Sequence, residues 1–199
     1  MPLLTTQSAK GFGFSTAIAG PTETNAYWAL ADTTVSSSTS SIEFTSITTT
    51  GYKHLEIRAF WVPTVSSGSD GLRIQFNGDT GTNYLSHYIY GTGDDLSGGN
   101  YSGTTKQTHG WVAYTGSPAE TYGGTVFVLR IPDYTSTTKK ITYWSTEGRV
   151  KDNNTGGNHG EINTGIYATT GSAISSIKFF CSNGNIGANS KFALYGIKG

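Results

Sequence analysis

Four histidines, His54, His87, His109 and His159, are the side chains of this sequence best suited to acid–base or metal chemistry near neutral pH. None stands at the His-x-x-x-His spacing that puts two ligands on one helix face. His159 lies two residues from Glu161, an offset that on a strand brings both side chains to the same side. An acid–base or metal pair is the chemistry such a spacing could serve. Without a third ligand beside it, His159 reads as a surface-loop histidine entering a strand. The adjacent carboxylates Asp94 and Asp95 sit in the glycine-rich stretch Gly91–Gly99, where a calcium ion could collect oxygens. The alternating Asp/Asn ladder of a dedicated calcium loop is missing, so the pair reads as a solvated loop tip. Asn77-Gly78-Asp79-Thr80-Gly81 reads likewise as turn formers. Gly-x-Ser-x-Gly is absent, and Gly11-Phe12-Gly13 lacks the third glycine of a dinucleotide loop. Cys181 follows Phe179 and Phe180 and reads as a small buried hydrophobe. On these residues no catalytic, cofactor-binding or metal site is assigned, and the chain is expected not to be an enzyme.

Composition narrows the partners. The 199 residues carry 13 basic and 13 acidic side chains, for a net charge of zero. Charged residues make up 13%, about half the roughly 25% of an ordinary soluble domain. A neutral chain has no electrostatic footprint for nucleic acid or anionic membrane, and neither is expected as a partner. A single cysteine excludes an internal disulfide framework and a thiolate zinc cage. Twelve Tyr, nine Phe and four Trp supply large areas for burial or contact. So few charges leave a free monomer poorly protected against association, which favours a contact surface of some kind.

The elements that must position these residues are strands. Leu55, Ile57, Ala59 and Trp61 alternate, as do Leu72, Ile74 and Phe76, and Leu85, His87 and Ile89. Further segments follow at Trp111–Tyr114, Thr125–Ile131, Ile141–Trp144, Ile162–Ala168, Ile177–Phe180 and Phe192–Ile197. No window sustains a helical period. The pattern predicts an all-β, antiparallel, jelly-roll-like sandwich of about nine or ten short strands over residues 26–199. Residues 1–25 form an irregular N-terminal arm. Its Phe12 and Phe14 either dock onto a partner or lie along the arm's own domain. Tyr84, Tyr88 and Tyr90 share one strand face and suit a sugar platform, a subunit contact or a second buried face. The candidate assembly contacts are therefore Phe12, Phe14, Tyr84, Tyr88 and Tyr90. The start has neither a basic region nor a long apolar run, so synthesis in the cytosol without membrane insertion is expected.

The ending Lys191-Phe192-Ala193-Leu194-Tyr195-Gly196-Ile197-Lys198-Gly199 resembles that of tailed-bacteriophage virion structural proteins. Gly51–Arg58, Leu72–Asp79, Asn83–Gly91 and Ile131–Tyr134 are similar to strand pairs of the same group. The resemblance covers roughly two-thirds of the chain, and its motifs are structural, so no catalytic residue carries over. It implies a non-enzymatic virion protein assembled in the bacterial cytoplasm, most simply a capsid cement or decoration subunit. Its partners would be copies of itself, with a trimer favoured, and the major capsid or tail proteins of the same particle. The alternative is a tail-fibre, tail-tip or adhesin component that binds host glycans through exposed aromatics. A glycan-cleaving sandwich using two carboxylates such as Asp94 and Glu120 is the enzymatic alternative.

Overall fold

The computed structural model describes residues 26–65, 69–92, 95–101, 105–115, 124–150 and 158–199. The described residues contain no helix, and therefore no helix long and apolar enough to cross a membrane. They form twelve strands rather than nine or ten. These are β1 (Tyr27–Thr34), β2 (Ser41–Phe44), β3 (His54–Trp61), β4 (Asp70–Phe76), β5 (Tyr84–Thr92) and β6 (Asp95–Asn100). The second half supplies β7 (Gly110–Thr115), β8 (Thr125–Ile131), β9 (Ile141–Val150), β10 (Asn158–Tyr167), β11 (Ile177–Cys181) and β12 (Lys191–Ile197). Every segment read as a strand is one. The strands beyond the nine segments named above are β1, β2 and β6, and Ser97-Gly98-Gly99 of β6 lacks strand-forming side chains and is held by its pairing with β5.

Two antiparallel sheets face each other, one of eight strands ordered β1-β12-β3-β8-β9-β10-β5-β6 and one of four ordered β2-β11-β4-β7. Setting aside β5, β6, β9 and β10 leaves β1-β12-β3-β8 over β2-β11-β4-β7, with consecutive strands in opposite sheets except β4 and β7, which pair with each other. This is jelly-roll order. The other four strands enter as insertions, β5–β6 between β4 and β7, and β9–β10 between β8 and β11. They pair with one another and continue the large sheet past β8. The sequence pattern shows the strands but not this extension.

The core lies between the sheets and takes one side of each strand. Leu55, Ile57, Trp61, Leu72, Ile74, Phe76, Leu129, Ile177 and Phe179 are buried, each stabilising by roughly 2–3 kcal/mol relative to exposure. Phe127, Phe179 and Phe192 pack edge to tilt at one end, and Phe76 meets Tyr84, Tyr143 and Tyr167 at the other. Asn77 and Gly78 both adopt positive φ, and the Asp79 N–H bonds the Phe76 carbonyl at 2.9 Å, which closes a tight turn of the primed kind. That turn carries the chain from β4 in the small sheet to β5 in the large one, instead of closing a hairpin. Asp79 Oδ1 accepts from the Gly81 N–H at 2.7 Å, and Oδ2 accepts from Asn83 Nδ2 at 2.8 Å and the Tyr167 hydroxyl at 2.9 Å. The carboxylate thus braces a turn.

A second carboxylate pins the far end of the small sheet. Asp70 is fully buried at the start of β4. Its Oδ1 accepts from the backbone N–H groups of Gly71, Ser182 and Asn183 at 2.8, 2.9 and 3.0 Å, and Oδ2 from Gly184 at 3.0 Å. The turn after β11 is tied to β4 through this one side chain. Asp70→Ala removes this acceptor from the N–H groups of Gly71, Asn183 and Gly184, while Ser182 keeps its bond to the Gly71 carbonyl, and is expected to cost about 3 kcal/mol or more, read as a lower urea midpoint at an unchanged slope. A loss below about 1 kcal/mol would overturn the bracing role.

Candidate functional site

The inserted strands carry two distinct surfaces, one buried and ionic, the other open and uncharged. On β9, Ile141, Tyr143, Ser145, Glu147 and Arg149 point inward, and on β10 His159, Glu161, Asn163 and Tyr167 do so. The inward side is apolar near Ile141 and Tyr167 and turns polar toward the other end. The register sets Glu161 opposite Glu147 and His159 opposite Arg149, so all four polar groups converge. Arg149 Nη1 donates to Glu147 Oε1 at 2.9 Å, and Nη2 lies 2.8 Å from His159 Nε2 and 3.9 Å from Glu161 Oε2. His159 Nε2 also lies 3.2 Å from Glu161 Oε2. Glu147 Oε2 accepts from the Tyr114 N–H of β7 at 2.7 Å, and the Tyr101 hydroxyl donates to Glu161 Oε1 at 2.6 Å. The Arg149 guanidinium is centred 4.7 Å from the Tyr114 ring.

This arrangement corrects the reading of His159, which is a buried strand residue rather than a surface-loop one. The pairing with Glu161 is legible from their two-residue spacing. Glu147 and Arg149 have the same spacing on β9 and the same legible face, yet nothing local says that this face is buried. Donor atoms of Glu147, His159 and Glu161 lie within 4.8 Å of one another, close enough to hold a cation. Arg149 already bonds these donors and supplies the positive charge there. The cluster is therefore an internally neutralised brace between β9, β10 and β7. Burial and the neighbouring Glu161 charge push the Glu147 carboxyl well above the usual range, against the pull of Arg149 and the Tyr114 amide. Burial lowers Arg149, opposed by the two carboxylates.

The aromatic residues of β5 point into the same space. Tyr84, Tyr88 and Tyr90 do share the inward face, but Tyr84 is fully buried, its hydroxyl accepting from the Phe76 N–H at 2.9 Å. It is a core residue and not a surface contact. Tyr90 stacks on His159 at 5.0 Å, Tyr88 lies 4.4 Å from Tyr101, and Tyr101 stacks on Trp111 at 4.2 Å. Arg73 covers Trp111 at 5.1 Å. These ring faces are spent on one another and on cations, which removes them as a sugar-stacking platform. His109, packed against Trp111 and Phe180, is pushed down to about 4 by burial and the Arg73 charge. Burial pushes the Cys181 thiol up to about 12, with Asp70 adding to the rise, so it is inert at neutral pH. Phe12, Phe14, Asp94 and Glu120 lie outside the described residues.

The opposite side of these strands faces outward. On β9 it presents Thr142, Trp144, Thr146 and Gly148, and on β10 Gly160, Ile162, Thr164 and Ile166. On β5 it presents Leu85, His87, Ile89 and Gly91, and on β6 Leu96, Gly98 and Asn100. No Asp, Glu, Lys or Arg occurs among these described positions. Leu96 is 79% exposed, Ile89 56% and Ile162 49%. The outward charges of the large sheet lie instead toward β3, β8 and β12, where Glu56 accepts from Arg58 Nε at 2.8 Å and Arg130 Nε at 2.9 Å. Burial raises the Glu56 carboxyl, and the two guanidiniums outweigh it and hold it below its ordinary range.

Comparison with protein-family models, with curated proteins and with solved structures gives no match.

The raised Glu147 carboxyl has a measurable consequence. The native state keeps this proton at pH values where the unfolded chain has released it. Stability from this group is therefore greatest below the ordinary carboxylate value of about 4.3 and declines as pH rises through the interval above it. Glu147→Gln mimics the protonated form and is expected to flatten that decline, measured as the urea midpoint between about pH 5 and 8. A wild-type profile no steeper than the variant's would exclude it.

Proposed function

We propose that this chain is a non-enzymatic structural subunit of a tailed-bacteriophage virion, acting as a cement or decoration protein on the capsid. The single observation that carries the reading is the uncharged outer face of β9, β10, β5 and β6. An uncharged sheet face on which Leu96, Ile89 and Ile162 stand exposed suits protein contact. The jelly roll is a compatible scaffold, and the chain ending that resembles virion proteins points the same way. Binding only the assembled shell, such a subunit stabilises it by mass action. Its partners are copies of itself and the major capsid or tail proteins of the particle.

The glycan-binding and glycan-cleaving alternatives find less support. Exposed ring faces are what a sugar platform requires, and Tyr88, Tyr90, Tyr101 and Trp111 stack on each other, on His159 and against Arg73. The paired carboxylates Glu147 and Glu161 are buried beneath their own arginine. Copy number in purified particles, by quantitative mass spectrometry, tests the proposal. Hundreds of copies are expected of a decoration subunit. A count between three and a few dozen would move the chain to the tail, and its absence from particles would overturn the virion role.

A further inference from the structure

Two glycines on the outer face have no internal reason to lack a side chain. Other sheet glycines do: a Cβ at Gly165 would come within 2.0 Å of the Tyr143 ring, and one at Gly71 within 1.9 Å of Trp111. At Gly148 the nearest atom would be Val126 Cγ2 at 3.9 Å, and at Gly160 the Glu147 carbonyl oxygen at 3.9 Å. Neither adopts a positive φ. A mid-strand glycine weakens its strand, and one without local cause marks a place where another backbone or ligand comes close. The register aligns them, with Gly148 opposite Gly160 and Gly160 opposite Gly91. This row of bare backbone continues through Val126 to Phe60 on one side and to Leu96 on the other. The Phe60 end borders an open depression of about 680 Å³, lined by Phe60, Val126 and Gly148 together with Asp32, Arg58 and Lys191. At the other end Leu96 is exposed on the edge strand.

We propose that this face is an interface between two copies of the chain, packed sheet to sheet about a twofold axis that runs along the strands between β9 and β10. The registers then dictate the contacts. Counting outward from that axis, Gly160 of one copy falls over Gly148 of the other, Gly91 over Val126, and Leu96 over Phe60. The exposed Val126 thus meets a position without a side chain, and the exposed Leu96 meets the depression beside Phe60. In the next row Ile89 falls over Val128 and Ile162 over Thr146. Arg58 and Arg130, the cations on β3 and β8, fall over Gly98 and His87, so no Lys or Arg opposes another and no two carboxylates meet. Six strands at about 4.8 Å spacing by six residues at about 3.3 Å cover roughly 570 Å² in projection, before side-chain relief is counted. That approaches the roughly 800 Å² per partner of a stable pair. Such a pair closes after two copies, so a threefold assembly would use a different surface.

The pairing deepens the virion reading by assigning this face to a second copy, which leaves the capsid to other surfaces of the pair, and it is tested without any particle. Sedimentation velocity of the full chain up to about 200 μM is expected to show a reversible dimer. Gly160→Val and Ile162→Asp place a side chain and a charge on the outer face. Each is expected to leave the melting temperature unchanged or, for Gly160→Val, raised, while weakening dimerisation tenfold or more. A wild-type chain that stays monomeric, a trimer, or a dimer that both folded variants form undiminished would overturn the proposal. A dimer lost only when residues 1–25 are removed would also overturn it, and would assign the association to that segment.

Discussion

A sheet of eight strands facing a sheet of four is the constraint on which the rest of the molecule depends. The jelly roll proper is balanced, four strands over four, and its space fills with Leu, Ile, Phe and Trp as in any sandwich. Beyond β8 the large sheet continues, and on the inner side, among the described residues, the small sheet covers it with β7 and, at the apolar end, with Phe76 of β4. β9, β10 and β5 all touch β7. The inner face of the extension must therefore satisfy itself.

Two devices do most of this, leaving the Asn163 amide and Arg149 Nε without a hydrogen-bond partner among the described residues. Ionic groups converge on Arg149, so that Glu147, Glu161 and His159 each find partners at a site withdrawn from water. A buried network of this kind is tolerable when its members are paired, and costly if one is removed. Aromatic rings form the second device, running from Tyr90 on His159, through Tyr88 and Tyr101, to Trp111 under Arg73. Tyr101 joins the two, stacking on Trp111 while its hydroxyl donates to Glu161. With the charges spent inside, the outer side of the same strands carries Thr, Gly, Ile and Leu, together with Trp144, His87 and Asn100. The inner problem and the outer face are two sides of one extension.

Several local readings from sequence agree with the structure for identifiable reasons. Leu72, Ile74 and Phe76 alternate because the period of a strand is a property of the backbone, and their burial follows that period. Cys181 between Phe180 and Ser182 is buried as its neighbours suggest. Asn77-Gly78 makes its tight turn because both residues tolerate positive φ. Tyr84, Tyr88 and Tyr90 share a face, yet the sequence does not distinguish the first, sealed beneath Tyr167, from the other two. β6 is illegible, since its Ser and Gly residues owe their extended form to hydrogen bonds from β5.

What the sequence by itself determines is therefore periodic and local: all-β class, the position of most strands, the turns, and the two faces of each strand. Which strand lies beside which, and which face meets a second sheet, belongs to the tertiary structure. His159 and Glu161 share a side by spacing alone. Only the ladder of β9 on β10 places Arg149 and Glu147 opposite them and turns a conceivable open pair into a sealed brace. Likewise Gly91, Gly148 and Gly160 are far apart in the chain and form one row only through two registers. The reason is physical: alternation is written into neighbouring residues, whereas register is decided by hydrogen bonds and packing between segments that the sequence leaves distant.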